Sequence, residues 1–144
     1  MKLSFLYSAL LALLVCISCN QLSKEEQEFD VLMQKVIDVH DEVMPKMGEM
    51  SSLIKDLESK IDTTAQGQSY ANAQKDVKDA YDFMMTWMSD FSDQFPHEEE
   101  NAKTDPEKLS SQMKLLKEEE VKVTKLKAQI NSSIENAKQL LQKS

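Results

Sequence analysis

The sequence predicts an all-α fold, an antiparallel three-helix bundle with long, coiled-coil-like helices. Three observations predict it. Apolar residues recur at alternating spacings of three and four along most of the chain, which is the period of a helix seam. Two capping-box signatures, Ser23 with Glu26 and Thr104 with Glu107, open long periodic stretches. Two Gly and three Pro in 144 residues leave little material for the turns of an all-β fold. A chain of this length suggests one domain.

The first helix is predicted over residues 24–61, with Ser23 as its N-cap. Its seam runs Phe29, Met33, Val36, His40, Val43, Met47, Met50, Ile54, Leu57 and Ile61, and His40 is its one polar member. Pro45 falls on the opposite, solvent-facing side. It removes one backbone hydrogen bond and should bend the helix, but the seam continues in phase past it, so a kink is predicted, not a break. A straight helix of this length would span about 57 Å at 1.5 Å per residue.

A loop is predicted at residues 62–67, followed by a second helix over 69–95. Its seam is Tyr70, Ala73, Val77, Ala80 with Tyr81, Met84, Trp87 with Met88, Phe91 and Phe95, and Pro96 ends it. The acidic stretch 97–103 reads as a connector. Thr104 and Asp105 with Pro106 in the first turn restart a helix, predicted over 105–142. Its seam carries Leu109, Met113, Leu116, Val123, Leu126, Ile130, Ile134, Ala137 and Leu141. Lys114, Glu118 and Lys122 lie at four-residue steps on its surface. Short connections between helices of this kind favour the antiparallel bundle. A longer coiled coil that forms a homodimer is the alternative, because regular seams can pair between chains.

The N-terminus reads as an address. Lys2 precedes an apolar run over residues 3–15, which is shorter than the roughly 20 residues needed to span a bilayer. It has the form of a signal peptide. Cys16, Ile17, Ser18 and Cys19 then resemble the bacterial lipoprotein signal, in which a small residue precedes the modified cysteine. The resemblance implies a signal peptide over 1–18, cleavage before Cys19, acyl chains on Cys19 and a tether over 19–23. More than one chain would anchor stably, whereas a single chain holds marginally. Cleavage would leave 16 Lys against 25 acidic residues, a formal net charge of −9. That charge disfavours lying flat on an anionic membrane.

The mature stretch, in particular residues 39–47 with His40 and Pro45 and residues 87–91 with Trp87, resembles small uncharacterised helical lipoproteins of Bacteroidota type. These are sometimes named viral A-type inclusion protein. The resemblance implies no activity and no site residues. Residues 23–26 are also similar to the acidic export signal of surface lipoproteins. Asp62, Thr63 and Thr64 match the short O-glycosylation pattern of that phylum, with Thr63 as the candidate acceptor.

Composition excludes several function classes. Gly48 and Gly67 are too few to build a phosphate loop. A formal charge of −8 and the absence of Arg argue against nucleic-acid binding. With Cys16 in the signal and Cys19 acylated, no thiol is left for redox chemistry. No nucleophile elbow or HExxH pattern is present, so no enzyme is predicted.

What remains is a Met-rich pair of helices. Met44, Met47 and Met50 lie on the first, Met84, Met85 and Met88 on the second, and His40 is one turn before Met44. Thioethers and imidazole suit Cu(I), and a His–Met pair can ligate haem. Met is also a good filler of irregular cores. Some of the aromatic residues of the second helix should be core; Phe83 and Trp87 are the candidates to reach an edge as a patch for a hydrophobic helix or ligand, with plain packing as the alternative. The runs 98–100 and 118–120 are read as solvated charge. The sequence therefore predicts a lipid-anchored envelope protein, placed at the outer membrane, with a non-enzymatic binding or structural role and no cofactor. The alternative is a copper or haem binder using His40, Met44, Met47, Met84 and Met88.

Overall fold

A computed structural model describes residues 22–96 and 105–143 of the chain. The described residues are helical, without a strand, and three helical segments pack against one another. The signal stretch, Cys19, most of the tether, the acidic connector and Thr104 lie outside the described residues.

α1 (Lys24–Val43) opens on the predicted capping box. Ser23 Oγ accepts from the Glu26 N–H at 3.2 Å, and the Glu26 carboxylate accepts from the Ser23 N–H at 2.6 Å. Phe29, Val36 and Val43 are buried at seven-residue steps. At Met44–Lys46 the backbone tightens into a single 3-10 turn, and α2 (Met47–Glu58) resumes the seam with Met47, Met50, Leu53 and Leu57. Pro45, which has no N–H to give, sits in that turn with its ring exposed. The segment predicted as one helix over 24–61 is thus two helices that stop at Glu58. Past the buried Leu57 no residue faces the core, and Lys60 N–H bonds the Leu57 carbonyl three residues back. That tighter bond is how a helix end satisfies its last carbonyls. Ile61, placed on the seam by spacing alone, is exposed.

α3 (Ala65–Gln94) starts four residues before the predicted Ser69. Thr64 caps it, its hydroxyl accepting from the Gly67 N–H at 3.0 Å. Gly67, read from the sequence as part of the loop, is a buried first-turn residue. A Cβ there would meet the Asp62 backbone nitrogen and carbonyl oxygen at 2.5 and 2.6 Å. Glycine is needed because the loop backbone crosses directly over the helix. Gly67→Ala is expected to destabilise the chain by about 1–3 kcal/mol through overpacking. A urea midpoint that falls at unchanged slope would show it.

Asp62 also pins this turn. Its carboxylate accepts from the Thr64 hydroxyl at 2.5 Å and the Thr64 N–H at 2.9 Å. These two bonds, the hydroxyl's first, hold the Asp62 carboxyl below the usual carboxylate range. The charged form is the one the fold favours. Its contribution is therefore present at neutral pH and lost as pH falls through the lowered pKa. Thermal melts should find Asp62→Asn less stable than wild type at pH 7, with the gap closing toward pH 2.

α4 (Pro106–Gln142) is capped by Asp105, whose carboxylate accepts from the Glu107 and Lys108 N–H groups at 3.0 and 3.5 Å. The sequence assigned that cap to Thr104. Asp105 takes the role because Pro106 fits the first helical position, where its missing N–H costs nothing.

Cross-helix pairs give the directions. Between α1–α2 and α4 the numbers rise together: Lys35 with Glu120 at 2.5 Å, Glu42 with Lys127 at 2.6 Å, and Glu49 with Lys138. Against α3 they oppose: Phe29 meets Phe95, His40 meets Trp87, and Gln74 donates to the Ile54 carbonyl at 2.9 Å. Between α3 and α4, Trp87 meets Glu119. One apolar core runs the length of the contact. It is filled by Val36, Val43, Met50 and Leu57 from α1–α2, Val77 and Met84 from α3, and Leu116, Val123, Leu126 and Ile130 from α4.

Candidate functional site

The most unusual chemistry in the core is a polar layer to which all three segments contribute. His40 lies in the last turn of α1, Trp87 is on α3, and Glu119 and Lys122 are on α4. Trp87 is 4% exposed and Glu119 is 1% exposed. The indole Nε1–H donates to Glu119 Oε2 at 2.9 Å, and Lys122 Nζ donates to Glu119 Oε1 at 2.7 Å. Both carboxylate oxygens are thereby occupied. The bond to Glu119 raises the Lys122 ammonium above its usual range, and Glu119, Glu118 and Asp90 add attraction. The His40 ring lies 5.8 Å from the Trp87 ring, tilted by 34°. An aromatic row continues from Trp87 to Phe91 at 5.0 Å and from Phe91 to Phe95 at 4.9 Å, and Phe95 meets Phe29 at 6.4 Å.

Each member is placed by helix period. Leu116, Glu119, Val123, Leu126, Ile130 and Ser133 are all buried on one face of α4, at spacings of three and four. Glu119 is thus at a core position, and only its flanks in the run 118–120 face outward. The expectation of solvated charge fails for Glu119. Lys122 accordingly pairs with Glu119 three residues back, not with Glu118. Counting the seam through the Glu run would have found this residue.

Trp87, expected at an edge as part of a partner-binding patch, is turned inward, because the buried carboxylate gives its N–H an acceptor. Phe83 is half-buried and packs against the core. The structure also divides the Met cluster. Met50 and Met84 are fully buried and Met47 nearly so, Met88 is half-buried, and Met44 and Met85 are exposed. His40 Nδ1 lies 2.9 Å from the Asp41 carboxylate. An ionised carboxylate can only accept, so Nδ1 carries the proton there and a neutral ring keeps its lone pair on Nε2. That Nε2 is the one buried side-chain nitrogen or oxygen among the described residues without a hydrogen-bond partner. Thr63 lies exposed in the turn before α3.

Outside this layer the described residues form open surface grooves. One, of about 310 Å³, lies between α3 and α4 and is lined by Asp76, Gln129, Ser132, Ser133 and Asn136. Another, of about 280 Å³, lies between α1–α2 and α4 beside Lys46 and Glu49. No helix among the described residues is long and apolar enough to cross a membrane. No protein-family model matches the chain, and neither a curated protein nor a solved structure is significantly similar to it.

Proposed function

We propose that the chain is a lipoprotein of the cell envelope, held at the outer membrane through Cys19, with a non-enzymatic binding or structural role. The observation that carries it is the apolar run 3–15 followed by Ser18 and Cys19, four residues before the capped start of α1 at Ser23. A lipid at Cys19 would hold the base of the first helix at the membrane surface, while the net charge of the mature part keeps the helices off an anionic leaflet. In this reading the three segments form an antiparallel bundle bent at Pro45. The 3-10 turn at Met44–Lys46 and the opposed pairs along α3 support it. The chain is then of a kind with the small helical Bacteroidota lipoproteins that it resembles in sequence. With Trp87 turned inward, Phe83 is left as the aromatic contact for an envelope partner. A homodimer is the alternative use of the same seams. Thr63, exposed in the α2–α3 turn, is the residue for O-glycosylation.

Labelling cells with an alkyne fatty acid tests the anchor. Wild-type chain is expected to take up label and sediment with membranes, and Cys19→Ala to do neither. Label retained by Cys19→Ala would overturn the reading.

The unpartnered Nε2 of His40 favours one second reading, a copper or haem binder. Purified chain that takes up one equivalent of Cu(I), or shows haem absorbance lost on His40→Ala, would support it. Unchanged melting with and without copper would count against it.

A further inference from the structure

We infer that the Trp87–Glu119 hydrogen bond fixes the register of α4 against α3, acting as a lock that the repeating apolar seam cannot supply. A heptad seam packs almost as well when one helix slides by seven residues, since one branched or thioether side chain replaces another. The seams here are of that kind: Val36, Val43 and Met50 on α1–α2, Val77 and Met84 on α3, and Leu116, Val123 and Ile130 on α4. The ion pairs that link α1–α2 to α4 are partly exposed. Pairs of that kind discriminate weakly between registers.

The buried pair does discriminate. Sliding α4 one heptad along α3 in one direction sets Glu119 against Ala80 and Trp87 against Gln112. The carboxylate then faces a methyl group and loses its indole donor. Sliding the other way sets Glu119 against Gln94 and Trp87 against Leu126. The indole N–H then has no acceptor. The first slip leaves Glu119 Oε2 and the second leaves the indole N–H without its partner, a costly kind of packing error. Lys122 sits on the same helix as Glu119 and moves with it, so it neutralises the charge in every register and selects none. Trp87 is the reading element, and its ring also lies against His40 of α1. Fixing register with a polar contact inside a largely apolar seam is the best-attested use of buried polarity in helical assemblies.

The test uses the full chain in detergent micelles and its backbone amide NMR spectrum. Wild type is expected to give one set of signals. The double variant Trp87→Phe with Glu119→Leu fills the layer with apolar groups. It is expected to keep its helicity and its melting midpoint but to give more than one set of signals from α3 and α4. Glu119→Gln, whose amide oxygen still accepts from the indole, is expected to keep one set. One set of signals from the double variant would show that apolar packing alone fixes the register and would overturn the inference. A double variant that does not fold would also overturn it, by showing that the pair supplies stability and not register. Several sets from Glu119→Gln would assign the register to charge and not to the indole bond.

Discussion

Trp87→Ala is expected to lower stability by about 4 kcal/mol, within the range for emptying a buried aromatic site. Trp87 is almost fully buried and touches three kinds of neighbour: the Phe91 ring at 5.0 Å, the His40 ring at 5.8 Å and the Glu119 carboxylate at 2.9 Å. Truncation opens a cavity between helices that are held on both sides and cannot collapse fully. It also removes the only donor that Glu119 receives, among the described residues, from outside its own helix. For a domain of this size the melting midpoint should fall by about 15 °C. Far-ultraviolet circular dichroism is the measurement to use, because the substitution removes the chain's one tryptophan. Met85→Ala is the control on the same helix. Met85 is exposed, and its loss should stay within about 0.5 kcal/mol. Had Trp87 formed a surface patch, as its aromatic neighbours on the sequence suggest, the two variants would differ little. A fall of less than about 1 kcal/mol for Trp87→Ala would contradict the burial described.

The contrast between Trp87 and Ser23 shows what kind of information the sequence carries. The Ser23 capping box is a contact between residues three apart, and its two bonds follow from local spacing. The helical class and most of the seam are legible for the same reason, since Phe29, Val36, Val43, Met50 and Leu57 declare their face by period alone. Gly67 misleads because glycine in sequence signals a breaker. Here it serves instead to let the Asp62 backbone pass over the first turn of α3. Pro45 is a middle case. The seam keeps its phase across it, which was legible, whereas the 3-10 turn that absorbs the missing N–H was not. The polar layer depends on residues 32 apart, Trp87 and Glu119, on different helices. Period places Glu119 on the seam, but only the facing indole explains why a carboxylate is tolerated there. His40 is similar. Its place on the apolar face was legible, while its contact with Trp87 and its unpartnered Nε2 are products of packing.

Lys122→Met is expected to cost about 3 kcal/mol, the lower end of the range for breaking a buried ion pair. The two ends of this pair differ sharply in exposure: the Glu119 side chain is 1% exposed and that of Lys122 is 49% exposed. Taking away the lysine leaves a carboxylate that water cannot reach, held by one indole. Half of the lysine was solvated already, which argues against the top of the range. Met keeps the length and packing of the stem, so the loss reports the ammonium. Lys127→Met is the comparison. Its Glu42 partner is half exposed, and such a pair contributes little. Salt separates the two cases. At 1 M the screening length is about 3 Å, which abolishes exposed pairs and leaves buried ones nearly intact. The Lys127→Met difference should vanish in 1 M NaCl and the Lys122→Met difference should persist. Alkali separates them further. The fold raises the Lys122 pKa above 10.5, so the charged form is the stabilising one. Its contribution is complete at neutral pH and at about pH 9, and disappears only as pH rises through that raised value. Wild type and Lys122→Met should therefore differ equally at pH 7 and pH 9 and converge in stronger alkali. A difference between wild type and Lys122→Met that salt erases would mean that water reaches Glu119, and the layer would then be a surface pair like those of Lys35 and Lys127.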